Sequence, residues 1–166
     1  MEFISIYSTD DLSTIVKVLN ESHGTVAKDF GFTLETNPSN NAFIDEKTLK
    51  AQLNEGIELY QLKVDGQIAG CIAIEKSVKE IDTFYIEKVS VIPEYRNHGL
   101  GVKLMEFATS KISGMGGKWI SIALIDSNLK LKNWYLNQGF TETGTKDFAR
   151  LPFRVCFMKK NLMKAL

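Results

Sequence analysis

The sequence predicts a single α/β (α+β) domain in which helices pack on a mixed β-sheet. Three observations lead to this prediction. The 166 residues suffice for one domain with its own core. Apolar runs typical of strands alternate with segments of helical periodicity, without repeats or linkers, so the domain spans residues 1–166. The middle of the chain has a hairpin signal, whereas strands and helices alternate later, which indicates both antiparallel and crossover connections.

The first third of the chain contains one predicted strand and two predicted helices. Residues 2–7 form a short strand, and Ser8 and Asp11 have the spacing of a capping box. An apolar stripe then predicts a helix that runs into the twenties; it consists of Leu12, Ile15, Val16 and Leu19. Residues 31–43 form a long polar loop, either functional or a plain surface loop, before a second helix at 45–55.

The rest of the chain alternates between strands and helices. Asp65-Gly66 lies between two apolar runs, which predicts a two-residue hairpin turn because both residues tolerate positive φ. The predicted elements are strands at 57–64, 67–74 and 82–92, a helix at 99–113, a strand at 119–125, a helix at 128–138, and strands at 140–145 and 153–158. The resulting order is β-α-α-β-β-β-α-β-α-β-β, which predicts a three-layer domain.

Charge and cysteine content exclude several classes of protein. Lysine plus arginine and aspartate plus glutamate number 20 each, so no nucleic-acid partner is expected. Without a signal peptide or a membrane-length apolar run, we expect a cytoplasmic protein with no membrane partner. Cys71 and Cys156 lie in apolar runs without a CxxC partner, and His23 and His98 form no cluster. We therefore predict core cysteines and no metal.

The segment VSVIPEYRNHGLGVKLMEFA, residues 89–108, is the most informative part of the sequence. A strand ends at a proline, a turn with Arg96, Gly99 and Gly101 follows, and a helix begins within the turn. Glycines let backbone N–H groups approach a ligand, and a helix N-terminus attracts anions, so the turn suits a diphosphate. RxxGxG matches neither the P-loop nor the dinucleotide fingerprint. A plain strand-to-helix connection remains the alternative.

These residues resemble the GNAT superfamily of N-acetyltransferases. The family carries [RQ]xxGx[GA] after a strand, here VIPEYRNHGLG, and a second signature lies about 30 residues downstream. That signature is an Asn, a Tyr seven residues later and then Gly-Phe, here Asn128, Tyr135, Gly139 and Phe140. The order of elements also matches the family over nearly the whole chain. Two signatures in the right order are far more specific than either one alone.

The resemblance implies a mostly antiparallel, twisted sheet of about seven strands flanked by four helices, with one parallel strand pair splayed at the coenzyme site. It also implies acetyl-CoA as co-substrate. The pyrophosphate of the coenzyme would lie on the turn, at Arg96, Asn97, His98, Gly99, Leu100, Gly101 and Val102. The pantetheine arm would pair with Val89, Ser90 and Val91, as an added strand does, and Asn128 and Tyr135 would contact the coenzyme.

Acyl transfer to an amine needs a base, an oxyanion donor and an acid for the thiolate. By resemblance, the backbone N–H of Val91 is the oxyanion donor and Tyr135 is the acid. Strand alternation places Glu87 on one face with Val89 and Val91, so Glu87 is the candidate base, through water. An exposed strand residue is the alternative for Glu87, and Tyr85 is a weaker candidate for the base.

The sequence thus predicts direct transfer of an acetyl group from acetyl-CoA to a primary amine, on an unidentified small-molecule substrate, by a monomer or homodimer. The resemblance places the substrate determinants at about 22–43 and 145–154. Three alternatives stay open: a non-catalytic acyl-CoA-binding module, a protein-modifying acetyltransferase, and an unrelated α/β domain that binds another anion.

Overall fold

The computed structural model describes residues 1–163, so residues 164–166 of the predicted domain lie outside the described part. Within residues 1–163, seven strands and four α-helices follow in the predicted order. Their bounds are β1 Glu2–Ile6, α1 Ser13–Asp29, α2 Glu46–Asn54, β2 Glu58–Val64, β3 Gln67–Lys76, β4 Thr83–Val91, α3 Leu100–Gly114, β5 Trp119–Ile125, α4 Leu129–Asn137, β6 Thr141–Asp147 and β7 Arg154–Asn161. Short 3-10 turns occupy Asn41–Phe43 and Pro93–Tyr95.

All seven strands form one sheet in the order β1-β2-β3-β4-β5-β7-β6. Every neighbouring pair is antiparallel except β4 and β5, which are joined by α3 and run parallel. This parallel pair is short: it extends only from Thr83, opposite Trp119, to Tyr85, opposite Ser121. Beyond Tyr85 the two strands separate. The mixed, mostly antiparallel sheet with a splayed parallel pair is confirmed.

The sheet separates two hydrophobic cores and makes the protein a three-layer structure. On one face, which we call the α3 face, α3 and α4 bury the larger core; it includes Ile72, Phe84, Leu104, Ile112, Ile120, Tyr135 and Met158. On the other face, which we call the α1 face, α1 and α2 bury the smaller core; it includes Ile15, Leu19, Leu49, Leu59 and Ala73. Both cysteines are buried and unpaired, as predicted.

The predicted turn at Asp65-Gly66 is confirmed, and the predicted cap before α1 is wrong. Asp65 and Gly66 have φ of 49° and 80°, as the hairpin prediction requires. The side chain of Asp45 caps α2 by accepting from Thr48 N at 2.7 Å. The predicted capping box before α1 is absent, because Asp11 accepts from the N–H of the first helical residue and Ser8 plays no part. None of the helices within residues 1–163 could cross a membrane.

A β-bulge interrupts β4 at Lys88. Glu87 pairs with Ala73 and Ser90 pairs with Cys71, so two residues of β4 lie opposite one residue of β3. Lys88 adopts the left-handed conformation, with φ of 53°, which is uncommon for a residue other than glycine. The extra residue shifts the alternation of side chains between the two faces of the sheet.

This bulge corrects the prediction that Glu87 shares a face with Val89 and Val91. Glu87 lies opposite Ala73, which belongs to the core of the α1 face. Val89 and Val91 follow the bulge and pack against the core of the α3 face. Simple alternation fails here because the left-handed residue between them rotates the strand. Glu87 therefore faces α1, on the opposite side of the sheet from both valines.

Candidate active site

A cleft of about 840 Å³ opens where β4 and β5 separate. We call the part lined by the start of α3 and by α4 the α3 half; its residues include Asn97, Gly99, Leu100, Gly101, Val102, Asn128, Leu131, Trp134 and Tyr135. We call the part lined by α1, the loop before α2 and β7 the α1 half; its residues include His23, Asn37, Ser39, Asn40, Asn41, Glu87, Lys88, Phe153 and Phe157. Most of the predicted site residues thus line a single cleft.

The turn before α3 presents a continuous run of backbone N–H groups. Asn97 and Gly99 have φ of 63° and 74°, and Gly99 is the N-cap residue of α3. The first helical hydrogen bond runs from Lys103 N to Gly99 O at 3.2 Å. No acceptor within residues 1–163 pairs with the N–H groups of residues 97–102. Unpaired N–H groups at a helix N-terminus fit a diphosphate such as that of coenzyme A.

The backbone N–H of Val91 points toward the cleft. Ile92 N donates to Ala69 O of β3 at 2.9 Å, and donors alternate in direction along an antiparallel strand. The N–H of Val91 therefore faces away from β3, toward the space left by β5. By the same alternation the backbone N–H and C=O of Ser90 face β3. Of the three residues predicted to pair with the pantetheine arm, Ser90 therefore does not offer its main chain to the cleft.

The side chain of Arg96 braces α1 against the end of β4. Its guanidinium donates to Val91 O at 3.0 Å, to the Thr25 hydroxyl at 3.0 Å and to Ser22 O at 2.8 Å. The donors of the candidate anion site are therefore backbone groups. The Arg96 guanidinium, expected to add its charge to this site, instead donates to oxygens of β4 and α1. His98 is exposed, bonds to Arg96 O at 2.7 Å and is not among the residues that line the cleft.

Tyr135 is buried in the α3 half, with its ring 4.9 Å from that of Trp134 and 5.5 Å from that of Phe140. Burial raises the pKa of its hydroxyl, so the group keeps its proton at neutral pH. The hydroxyl makes no hydrogen bond to any group within residues 1–163. A Cβ at Gly101 would lie 3.1 Å from the Trp134 ring, so α3 approaches α4 closely at this glycine.

Asn128 has a structural task at the mouth of the cleft. Its side chain caps α4 by accepting a hydrogen bond from Leu131 N at 3.2 Å. The cap uses the side-chain oxygen and leaves the amide NH₂ group as a donor toward a ligand. The residue lines the cleft, as the sequence predicted.

Glu87 lines the α1 half and is partly buried. Burial raises its pKa above the ordinary value; the ammonium of Lys88 opposes this shift and the carboxyl group of Glu75 adds to it. A carboxylate with a raised pKa is a stronger base than an exposed one. Tyr85, the weaker candidate, lines the same cleft, and its hydroxyl lies 3.1 Å from that of Ser77.

A buried polar chain in the α1 half was missed by the sequence analysis. His23 Nε2 lies 2.9 Å from the Ser90 hydroxyl, which donates to Lys88 O at 3.0 Å. Burial lowers the pKa of His23 to about 4, helped by the charges of Lys88 and Arg96, so the ring is neutral at neutral pH. The available signal was a lysine inside the apolar run YIEKVSV. The side of the sheet on which this lysine lies depends on the β-bulge, and the sequence does not predict the bulge.

An aromatic wall closes the α1 half on the side of β7. Phe153 packs on Phe32 with ring centroids 5.1 Å apart, and Phe157 lines the same side of the cleft. Phe32 and Phe153 lie in the two regions, about 22–43 and 145–154, in which the substrate determinants were expected, whereas Phe157 lies beyond them in β7. The α1 half therefore combines an apolar wall with a polar one.

Comparisons with known proteins agree with this geometry. A profile of the acetyltransferase (GNAT) domain matches residues 31–162. The chain is 28% identical over 145 residues to an uncharacterized N-acetyltransferase in the pepI 3' region of Lactobacillus delbrueckii subsp. lactis, covering 81% of each chain.

Two solved structures share the fold of this chain. The PaiA N-acetyltransferase from Thermoplasma acidophilum, in complex with coenzyme A, has a TM-score of 0.78 at 17% identity, over 96% of this chain and 98% of the other. The ribosomal-protein-S18-alanine N-acetyltransferase from Escherichia coli has a TM-score of 0.75 at 19% identity, over 99% and 95%. With the family profile spanning most of its length, the chain belongs to the GNAT family of acetyltransferases.

Proposed function

We propose that the protein is an N-acetyltransferase that moves the acetyl group of acetyl-CoA directly to a primary amine of a small molecule, in a ternary complex. The observation that carries this proposal is the composition of one cleft. Its α3 half offers unpaired backbone N–H groups and a protonated Tyr135, and its α1 half offers the buried carboxyl group of Glu87. These groups supply what acyl transfer to an amine requires.

The α3 half would hold the acyl donor, which supplies an activated acetyl group as a thioester. The N–H groups of residues 97–102 bind the diphosphate, and the N–H of Val91 donates to the thioester carbonyl as its oxygen gains negative charge. The Asn128 amide contacts the coenzyme arm. In this assignment backbone donors supply most of the binding, so single side-chain changes in the turn affect binding mainly through backbone geometry.

Two side chains would move protons across the cleft. The raised pKa of Glu87 lets its carboxylate take a proton from the acceptor ammonium through one water molecule. Tyr135 donates its hydroxyl proton to the departing sulfur, which it can do because burial keeps that hydroxyl protonated. The proton removed from the amine and the proton given to the thiolate are exchanged with solvent at the end of the cycle.

The small size of the acceptor is inferred from the loop before α2. Asn20 Nδ2 donates to Asn41 O and Ile44 O, each at 3.1 Å, and holds this loop against the α1 half. The fixed wall limits the space beside the thioester. One domain over residues 1–166, a cytoplasmic location and a monomer or homodimer also remain parts of the proposal. Neither non-catalytic binding nor protein modification is favoured by an observation in this chain.

The test is release of free coenzyme A from acetyl-CoA in the presence of amines, read with a thiol-reactive dye. Both cysteines are buried, so the folded protein adds little background. The panel contains amino acids, polyamines, aminoglycosides and a peptide with a free N-terminus. Turnover with a small amine supports the proposal. Binding of acetyl-CoA without turnover of any amine indicates a non-catalytic module, and turnover of the peptide alone indicates a protein-modifying enzyme.

A further inference from the structure

Lys88 is a buried cation without an ion-pair partner. Its exposed fraction is 4%, and it lines the α1 half of the cleft. Its ammonium donates to the Asn41 side-chain oxygen at 2.9 Å, a neutral acceptor. No carboxylate oxygen within residues 1–163 comes within 4.0 Å of the ammonium. Buried charges in proteins are normally paired, and an ammonium has three donors to satisfy.

The described groups around Lys88 do not form an ion pair with it. His23 is neutral, because burial and the two nearby cations lower its pKa to about 4. Arg96 adds a second positive charge whose hydrogen bonds all go to neutral oxygens. Glu87 is the neighbouring acid in the chain, but none of its carboxylate oxygens lies within 4.0 Å of the ammonium; burial lowers the pKa of Lys88, and the charge of Glu87 opposes that shift. Within residues 1–163, this wall of the cleft therefore has two cations without a contacting carboxylate, and a bound anion would supply one.

Lys88 lies apart from the proposed diphosphate site. The N–H run of residues 97–102 follows the end of β4 and belongs to the α3 half. Lys88 lies earlier in the chain, within β4 and on the α1 face of the sheet. It contacts Asn41 in the loop before α2. The groups near it in the cleft are those expected to meet the acceptor: amide and hydroxyl side chains of that loop on one side, and the aromatic wall of Phe153 and Phe157 on the other.

We propose that the acceptor carries a carboxylate as well as its amine, as an apolar amino acid does, and that Lys88 binds this carboxylate. The proposal rests on the N-acetyltransferase function proposed above and names its substrate class. The amine lies toward Glu87, the neighbour of Lys88 in the chain, while the apolar side chain of the acceptor packs on the aromatic wall. A substrate of this kind supplies the missing counter-ion and matches both walls of the α1 half.

If Lys88 had only a structural role, different effects of substitution would be expected. In that case its one contact, with Asn41, would serve to anchor the loop. The loop, however, is already held by Asn20 through two backbone oxygens, including that of Asn41 itself. An anchor alone would also be equally sensitive to loss of either partner, Lys88 or Asn41. A carboxylate-binding role depends on the cation.

The experiment compares kcat/KM for L-phenylalanine and L-leucine with kcat/KM for their amides, which keep the amine and lack the carboxylate. Wild type is expected to prefer the free acids by about 10- to 100-fold, the size typical of a hydrogen bond between charged groups. Lys88→Met should remove this preference, mainly through KM for the acid. Asn41→Leu breaks the same hydrogen bond but keeps the cation, so it should retain the preference, and Lys88→Arg should retain most of it.

Thermal unfolding and the acetyl-CoA-induced shift in Tm establish that each variant is folded and has an intact α3 half. Equal rates with acids and amides in wild type, or a preference for amines without a carboxylate, would overturn the inference and leave the proposed N-acetyltransferase function standing. Equal loss of preference in Lys88→Met and Asn41→Leu would also overturn it, in favour of a loop anchor. Failure of every amine to react would remove the proposed function and the inference together.

Discussion

The two halves of the cleft are built in different ways. The α3 half is formed mainly by backbone N–H groups of one continuous segment, residues 97–102, and by Val91 just before it. The α1 half is formed by side chains from α1, the loop before α2, β4 and β7. A local segment can present its backbone whatever its neighbours are, whereas converging side chains need the whole fold. The α3 half is thus suited to a ligand bound through general backbone contacts, and the α1 half to a ligand that matches particular side chains.

The largest effect is expected from Tyr135→Phe, which removes the proposed proton donor from the α3 half. We expect kcat to fall about 1,000-fold, or ~4 kcal/mol, within the range of general acid catalysis, with little change in acetyl-CoA binding. Steady-state kinetics with the best amine measures it. Tyr60→Phe is the matched control, because it removes another buried tyrosine hydroxyl, bonded to Glu58, away from the cleft. A kcat for Tyr135→Phe equal to that of the control would end the assignment of Tyr135 as the acid.

The second prediction concerns the backbone anion site. Gly99→Asp places a side chain at φ of 74° and a negative charge beside the N–H run. The stabilisation by acetyl-CoA at 100 times its wild-type Kd, about 2.7 kcal/mol, should disappear. Gly116→Asp is the control, since Gly116 also has a positive φ, of 82°, with open space around it, but lies beyond the opposite end of α3. If both variants keep the shift in Tm, the turn is not the diphosphate site.

The third prediction concerns β4, the strand that lines both halves of the cleft. A Cβ at Gly70 would lie 2.1 Å from Ser90 O, so Gly70→Ala must push β3 and β4 apart beside the bulge. We expect a loss of about 2 kcal/mol in the free energy of unfolding, as for other overpacked sites. Gly24→Ala, in α1 with open space around it, should instead stabilise the protein by about 0.5–1 kcal/mol. Denaturant unfolding measures both, and an unchanged stability in Gly70→Ala would contradict the close approach of the strands.

The smallest effect is expected from Glu87→Gln in the α1 half. We expect kcat/KM to fall about 10-fold, because the base acts through water and other proton acceptors can replace it. In wild type, activity should rise with pH through the raised pKa of Glu87, and this acid limb should vanish in the variant. Glu75→Gln removes the neighbouring acid and should move the limb to lower pH without abolishing it. An identical pH profile for Glu87→Gln and wild type would exclude Glu87 as the base.

The stability of Glu87→Gln has a defined sign. The folded-state pKa of Glu87 is raised, so the folded protein favours the protonated carboxyl. The associated stability is fully present below the unfolded-state pKa and is lost as pH rises through the folded-state pKa. Glutamine resembles the protonated form, so the variant should be at least as stable as wild type at neutral pH. Thermal unfolding at pH 7 checks this, and a lower Tm would indicate that the ionised carboxyl has a stabilising contact.

Much of the fold could be predicted from the sequence, because its signals are local. The order of elements, the Asp65-Gly66 turn and the glycine turn before α3 each depend on a few neighbouring residues. The face of Glu87 could not be predicted in this way. Alternation assumes a regular strand, and the left-handed Lys88 breaks it in a manner that depends on pairing with β3.

The sequence by itself determined the family and the three-layer architecture and singled out the turn proposed to bind acetyl-CoA, since periodicity, glycine placement and a helix N-terminus act over short distances. Only the tertiary structure decided that Arg96 braces α1, that His23 lies against Ser90, and that Lys88 is buried in the α1 half against Asn41. These contacts join residues that are 47 or more positions apart in the chain. Their meaning rests on burial and charge balance, which arise only when the distant segments pack together.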